Sequence, residues 1–476
     1  MRVALRIYLL YLVFLGMSGC AYYGDIHSHS RPLTPVRLSK LHTYRPPSAP
    51  ILASSHWWQR FKDPQLNQLI EEALCDSPTL QIAISRLKRA QHLTEEVSSL
   101  LWPTIDFEGY VQRQRFSTFG LAPPPFNGRT FNIGTLALNF NYEFDFWGKN
   151  RQLLFANIHE ACAAQAELLE ARLILSTAVA STYFQLRSNL EQVSIAASQW
   201  QASQQILQIA SVRFKRGIDS DIPVKTIQAN AQAQKQTLEQ YRQAALLSQH
   251  QLAVLLGRNP FTTEITVKPW VFHAYQVALP PCMPASLLAQ RPDIYAAKFR
   301  AEAAANYIKV AKARFFPNIN LNGLFSYQSV GLGRLFNPQS QNNAITGTVD
   351  LPIFDAGARR ANLRVRYAEY DLAVNEYNQT ILTALREVAD QLSVLKTLQA
   401  QRQSQAIAVA ATARNDQLFR LRYRQGIADY VVVLNSKQSL LQQKAEQIDL
   451  QTRHLQAVVA MLKALGGNDT DKGSNA

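Results

Sequence analysis

Glycine and proline are scarce in this chain, 19 and 21 among 476 residues, and neither occurs between Gly148 and Phe214 or between Gly357 and Tyr423. A stretch of that length without a breaker excludes a loop-rich region. It leaves one continuous helix, which at 1.5 Å per residue reaches on the order of 100 Å. Cysteine is scarcer still. Apart from Cys20, only Cys75, Cys162 and Cys282 are present, and no two of them stand at matching positions of the repeat set out below. A paired framework is therefore not implied; buried free thiols are expected, with a Cys75–Cys282 bridge as the alternative in an oxidising compartment. Beyond the N-terminus no run is apolar and uncharged for the ~20 residues a spanning helix needs, so any membrane crossing falls to strands. There is no P-loop, dinucleotide fingerprint or nucleophile elbow, which excludes the common routes to covalent chemistry. The nine histidines are scattered, and His27-Ser28-His29 has no further ligands nearby. No metal site, cofactor or enzymatic activity is expected. The net charge of +15 is spread along predicted helices without a basic block or zinc-ligand spacing, which argues against nucleic acid as a partner.

What the chain does contain is a second version of itself. Leu101-Trp102-Pro103-Thr104-Ile105 returns 214 positions later as Phe315-Phe316-Pro317-Asn318-Ile319. Arg213-Phe214-Lys215-Arg216-Gly217 returns as Arg422-Tyr423-Arg424-Gln425-Gly426, and Leu256-Gly257 as Leu465-Gly466, both after 209. A period this long marks a duplicated half, because solenoid units run to a few tens of residues. The shortfall of five arises between Pro103 and Gly148 and predicts a longer loop in the first copy.

Arg2 and Arg6 precede an apolar run from Ile7 to Leu15, and Met17-Ser18-Gly19-Cys20 follows at once, the layout of a secretory signal. These four residues resemble a bacterial lipobox, with Met17 where Leu is usual. The resemblance implies that Cys20 becomes the first residue and carries acyl chains, and that Ala21 after it directs sorting to the outer membrane. Residues 21 to about 60 are rich in Pro, Ser and His and read as an extended tether. The expected organisation is a lipoprotein signal peptide over 1–19, a lipidated tether over 20–63, repeats over 64–280 and 281–467, and a disordered tail over 468–476.

Within each repeat the hydrophobic period changes. Leu66, Leu69, Ile70, Ala73 and Leu74 recur at helical spacing, and Ser77-Pro78 ends that helix and starts another over about 79–101. After Pro103 the period is two. Ile105, Phe107, Gly109 and Val111 alternate with polar neighbours, as do Leu136 to Phe144, Ile319 to Tyr327, and Ile345 to Ile353. Four strands of about ten residues, the length a tilted strand needs to cross a bilayer, are predicted. In the long helices Val374, Ile381, Val388 and Leu395 keep a seven-residue spacing, which is coiled-coil periodicity. Each long helix is expected to stop at Gly217 or Gly426, and a partner of about 35 residues to run back from each. Asp221-Ile222-Pro223 reads as the cap and early-turn proline of the first return helix. The segment 258–284 is expected to form a small strand-containing patch.

Four membrane-length strands cannot close a barrel, and an open edge in lipid leaves backbone groups unpaired at several kcal/mol each. Two chains would supply eight strands and a filled interior; three supply twelve and a lumen. The row of Asn, Thr, Ser, Asp and Glu on one strand face suits a wet interior.

The lipobox, the duplicated succession of helix, hairpin, long helix and return helix, and the Arg-Phe-x-x-Gly and Arg-Tyr-x-x-Gly tips together resemble the TolC-like outer membrane factors, in their lipoprotein branch. The resemblance covers essentially the whole chain after residue 20. It implies an internally duplicated mixed fold: a long antiparallel α-helical coiled-coil barrel continuous with a transmembrane β-barrel formed from four strands per protomer. It further implies a homotrimer in outer membrane lipid that receives small molecules from an inner membrane efflux pump through a periplasmic adaptor protein. Carried over onto Val431 to Gln438, the family's apolar gate ring falls at Val431, and its usual Asp position is Asn435, which removes the expected anionic ring unless Asp429 supplies one. Arg213, Gly217, Arg422 and Gly426 mark the tips; their arginines serve either adaptor contact or the helix C-terminus. Two other readings remain: an exit duct for a secreted protein or peptide, and a coiled-coil spacer lipoprotein without a channel.

Overall fold

The computed structural model describes residues 26–33, 56–262, 265–267 and 291–467. The expected signal peptide, Cys20, Cys282, the tail and most of the 258–284 patch lie outside them.

The fold begins with a short 3-10 helix, Trp57–Phe61, and with α1, Pro64–Asp76. Asp63 caps α1 by accepting from the N–H groups of Gln65 and Leu66 at 3.0 and 3.2 Å, and Pro64 takes the first position, where a missing N–H costs nothing. Next come α2, Pro78–Ser99, then β1, Thr104–Arg115, and β2, Thr130–Phe144. The long helix α3, Lys149–Lys215, and its return helix α4, Asp221–Leu255, complete the first copy. The second copy follows the same plan with α5, Pro292–Ala313, β3, Asn318–Val330, β4, Gln341–Asp350, α6, Ala358–Arg424, and α7, Tyr430–Ala464. The link from β1 to β2 is longer than that from β3 to β4, which accounts for most of the length difference between the repeats.

Helices α3 and α6 have 67 residues each, and α4 and α7 have 35. All four stop in one way. Gly217, Gly257, Gly426 and Gly466 have φ between 70° and 75°. Each glycine N–H bonds three residues back and the next N–H five back, as Gly217 to Phe214 and Ile218 to Arg213, both 2.9 Å. This is the Schellman closure, which satisfies carbonyls a helix end would leave open.

The described residues fall into two compact units. The first holds residues up to Pro32, Arg86–Gln165 and Ala296–Asn378. Its sheet is antiparallel with order β1-β2-β3-β4, so both outer edges lack a partner among the described residues. The register stacks like with like. One face has the rows Ile105-Phe140-Gly323-Ile345 and Phe107-Leu138-Phe325, and ends at Phe144-Ile319-Val349; the other has Thr104-Asn141-Asn322-Thr346 and Glu143-Asn320-Thr348. The expected alternation thus becomes one apolar and one largely polar face. It ends sooner than predicted in β4, which stops at Asp350 because Pro352 has no N–H for a ladder. Leu351 and Ile353 lie beyond the strand.

The first unit also holds an N-terminal segment. Asp371 on α6 accepts the Ser28 hydroxyl at 2.6 Å and the N–H groups of His29 and Ser30 at 3.1 and 3.0 Å. Asn375 donates to Ser30 Oγ and Asn378 to the Arg31 carbonyl, while Ile26 packs on the cluster of Ile308, Ala311, Phe315 and Leu363. Of the stretch predicted to be a tether, Ser28 to Arg31 are bound along α6.

The second unit comprises the described residues of Leu33–Ser85, Ala166–Tyr295 and Gln379–Ala476. Its core joins Trp57, Trp58, Phe61, Leu66 and Ile70 to Val179, Tyr183 and Leu186 of α3, Leu252 of α4, and Val458 and Met461 of α7. Tyr183 donates to the buried Asp63 at 2.8 Å, and Trp57 Nε1 to Ser176 at 3.1 Å. The predicted seam residues Val374, Ile381, Val388 and Leu395 are buried. Cys75 is free and exposed and Cys162 is free and half-buried, so the expectation of buried thiols fails at Cys75. That residue follows Leu74 near the last turn of α1, whose inner face is already taken by Leu66, Leu69, Ile70 and Ala73.

Candidate gate at the helical tips

Two turns in the second unit reverse the long helices, 216–220 between α3 and α4 and 425–429 between α6 and α7. Gly217 and Gly426 form their bends. A Cβ at either would meet nothing within 4 Å, so the demand for glycine is conformational: φ is +70° and +74°, a region that costs an L side chain about 1–2 kcal/mol.

The two turns are chemically unequal. Arg213 reaches forward over its own turn to Asp219, Nε to Oδ2 at 2.6 Å, and its Nη1 lies 3.9 Å from Oδ2 of Asp429 in the other turn. The Arg213 hydrogen bond holds Asp219 below the ordinary carboxylate range, and Arg213 itself is raised by the same bond. Asp429 also caps α7 by accepting from the Val431 N–H at 3.2 Å. The matching position at the start of α4 is Ser220, whose side chain makes no cap bond. Asp221, read from sequence as the cap, is the first helical residue instead, so Pro223 stands at the third position. Arg422 has no carboxylate in the place of Asp219, since Ala428 occupies it, and makes no ion pair among the described residues. Of the two tip arginines singled out from sequence, Arg213 is engaged within the chain and Arg422 is open.

Val431 and Asn435 lie one turn apart on α7. Val431 is half-buried and packs with Ile209 and Ile227 on the cluster of Ala202, Ile206 and Leu434, whereas Asn435 is exposed. The hairpins are cross-linked by polar side chains that sequence reasoning missed. Gln438 of α7 donates to Ser203 of α3 at 2.7 Å, and Gln192 of α3 to the Ala445 carbonyl at 2.8 Å. The buried carboxylate of Asp416 takes Arg420 at 2.7 Å and the Ser436 hydroxyl at 3.1 Å. Two equivalent isoleucines also went unremarked: Ile218 and Ile427 follow the tip glycines and are 59% and 72% exposed. The repeat alignment was the available signal. It sets an apolar residue after each turning glycine, where a soluble loop would carry a polar one.

The tips can thus present a small apolar and cationic surface on a rigid turn, with nothing among the described residues that would hold a metal. Comparison with known proteins places this geometry. The family model described as outer membrane efflux protein matches residues 69–258 and 283–467. The multidrug resistance outer membrane protein MdtQ of Escherichia coli O157:H7 is 30% identical over 421 residues, covering 87% of this chain and 88% of that one. The outer membrane protein VceC of Vibrio cholerae superposes with a TM-score of 0.76 at 33% identity, over 87% of this chain and 99% of the other. The CmeC outer membrane channel of Campylobacter jejuni, at 22% identity, shares the fold with a TM-score of 0.82 over 94% and 97% of the two chains.

Proposed function

Since this chain belongs to the outer membrane efflux protein family, we propose a working scheme for it in which each part has a stated physical job. The protein is an outer membrane exit duct of a tripartite efflux system. The observation that carries the scheme is the four-stranded sheet with both outer edges unpaired among the described residues and its side chains sorted by face. In lipid such edges must be paired, and three copies joined β1 to β4 give a closed twelve-stranded ring with the apolar rows outward and the Asn and Thr rows around a wet lumen. The duct is passive: transport is driven by an inner membrane pump, and a periplasmic adaptor meets the tips through Arg422, Gly426, Ile218 and Ile427. Arg213 acts by holding the two turns in register through Asp219 and Asp429. Val431 and Asn435 form the narrow end, without an anionic ring at 435. Cys20 carries the lipid anchor.

The test is single-channel conductance of the purified protein in a planar bilayer, alongside its native mass in detergent. A mass that is a multiple of three protomers with discrete conductance steps is expected. A stable monomer, or a dimer that does not conduct, rules the twelve-strand duct out.

A further inference from the structure

The two copies of the repeat differ in charge where each hairpin passes into its long helix. In the first copy Arg151 is neutralised by Asp145, Nε to Oδ2 at 3.2 Å, and Lys149 by Glu143 at 2.5 Å. In the second copy the residue matching Arg151 is Arg360, and the position of Asp145 is taken by Phe354. Arg360 makes no ion pair among the described residues. Two further exchanges run the same way. Leu100 and Phe155, exposed apolar residues of the first copy, correspond to Arg314 and Arg364, both exposed and likewise without an ion pair among the described residues. The carboxylates at hand are spent elsewhere: Asp355 on Arg359 at 2.6 Å and Glu369 on Arg366 at 2.8 Å. Arg359 in turn donates to the Arg314 carbonyl, which ties the end of α5 to the start of α6. Arg314, Arg360 and Arg364 thus stand near the end of β4 and the start of α6 without an ion-pair partner among the described residues. Beside them Ile353 and Phe354 are 84% and 88% exposed.

Val349 ends the apolar row of β4, and Ile353 and Phe354 follow just beyond the end of the strand. On α6, Arg360, Arg364, Asp371, Asn375 and Asn378 recur at steps of four, seven, four and three, a single stripe of the helix. The N-terminal segment lies on the same stripe, running from Asn378 past Asp371 to Ile26 at Leu363, toward the start of α6. On the duct placement proposed above, the start of α6 lies at the periplasmic border of the membrane.

We infer that Arg314, Arg360 and Arg364, with Ile353 and Phe354, form a site for the phosphate headgroup of an anionic glycerophospholipid of the inner leaflet. The guanidinium groups take the phosphate, as planar forks suited to it, and the two apolar side chains lie along the first acyl carbons. In the first copy Phe144 and Asp145 stand at the positions of Ile353 and Phe354, so one apolar side chain is replaced by the carboxylate that neutralises Arg151. The site rests on the membrane placement and lipid anchor proposed above.

The test uses purified full-length protein in detergent, titrated with phosphatidylglycerol or phosphatidylcholine, with bound lipid counted by native mass spectrometry. The parent is expected to prefer phosphatidylglycerol. At about fivefold per arginine near the membrane surface, R314Q/R360Q/R364Q should bind it at least tenfold more weakly and lose the preference. R86Q/K88Q/R89Q, which removes equal charge from exposed positions of α2, should bind as the parent does. Phe354→Asp, which keeps every arginine and gives Arg360 the partner Arg151 has, should also weaken binding. Equal binding by parent and R314Q/R360Q/R364Q, equal loss in the α2 variant, or inorganic phosphate alone binding as tightly as the lipid overturns the site. Failure of conductance would remove the duct itself; conductance without lipid preference removes only this inference.

Discussion

His454 offers a measurement that separates burial from charge. It lies on α7 in the second unit, 8% exposed, and its Nδ1 is buried without a hydrogen-bond partner. Burial, reinforced by Arg402, lowers its pKa from 6.5 to about 4. An opened chain recovers the ordinary value, so between those limits the opened state takes up a proton that the folded state refuses. Stability is whole above pH 6.5 and is lost as the pH falls toward 4. At about 1.4 kcal/mol per tenfold change in proton affinity, the full loss is about 3 kcal/mol, and about 2 kcal/mol is already gone at pH 5. Glu160 and Glu170, raised chiefly by burial, act in the opposite sense, since a raised carboxylate favours the folded state as the pH falls. The difference between parent and His454→Leu isolates the histidine. Hydrogen exchange of peptides covering Thr452–Leu462, corrected for intrinsic rates, should accelerate about thirtyfold from pH 7 to pH 5 in the parent beyond any change in the variant. The same acceleration in both proteins would show that His454 is not held neutral.

Three further outcomes are expected. Asn435→Asp should set three carboxylates close together in the trimer and gain block by trivalent cations added on the periplasmic side; equal sensitivity in the parent would mean that position 435 does not face the lumen or that Asp429 already forms a ring. Cys20→Ser should abolish labelling by radioactive fatty acid while trimers persist, and label retained on the variant refutes acylation there. Asp63→Ala removes a cap worth about 1 kcal/mol and strands the buried Tyr183 hydroxyl at about 1–3 kcal/mol, against about 1 kcal/mol for Tyr183→Phe; denaturant unfolding followed by the fluorescence of the neighbouring tryptophans should rank them so, and the reverse order contradicts the shared bond.

The elements were legible in the sequence because breakers and periods fix them locally. Gly148 and Gly217 bracket α3, and alternation placed the strands so well that the register only had to stack them. Local signals stop there. Alternation runs on to Ile353, but the missing N–H of Pro352 ends β4, and a hydrophobicity pattern does not register a donor. Asp63 with Tyr183, and Asp416 with Ser436 across the turn from α6 to α7, are bonds between separate elements, and single polar residues carry no period. The N-terminal segment binds Asp371 through the N–H groups of His29 and Ser30 and the Ser28 hydroxyl, so its composition still reads as a tether. At the tips, Val431 was placed by resemblance, while its packing on the cluster of Ala202, Ile206 and Leu434 depends on how α7 lies against α3.

The strand order follows the chain, yet its central pairing, β2 with β3, joins the two copies. This puts a delay into folding. When β2 is complete its neighbour does not yet exist, because α3, α4 and α5 have to be made first. The helical hairpin of α3 and α4 closes on local contacts and forms early, whereas the sheet waits for a contact distant in sequence. During that wait the first two strands are a lone ribbon, marginal in water, with an apolar face and two open edges. Such a species is the one most prone to pair with the wrong chain. Slowed synthesis or truncation after α4 should therefore produce aggregates seeded by residues 104–144, with the helical hairpin already folded beside them.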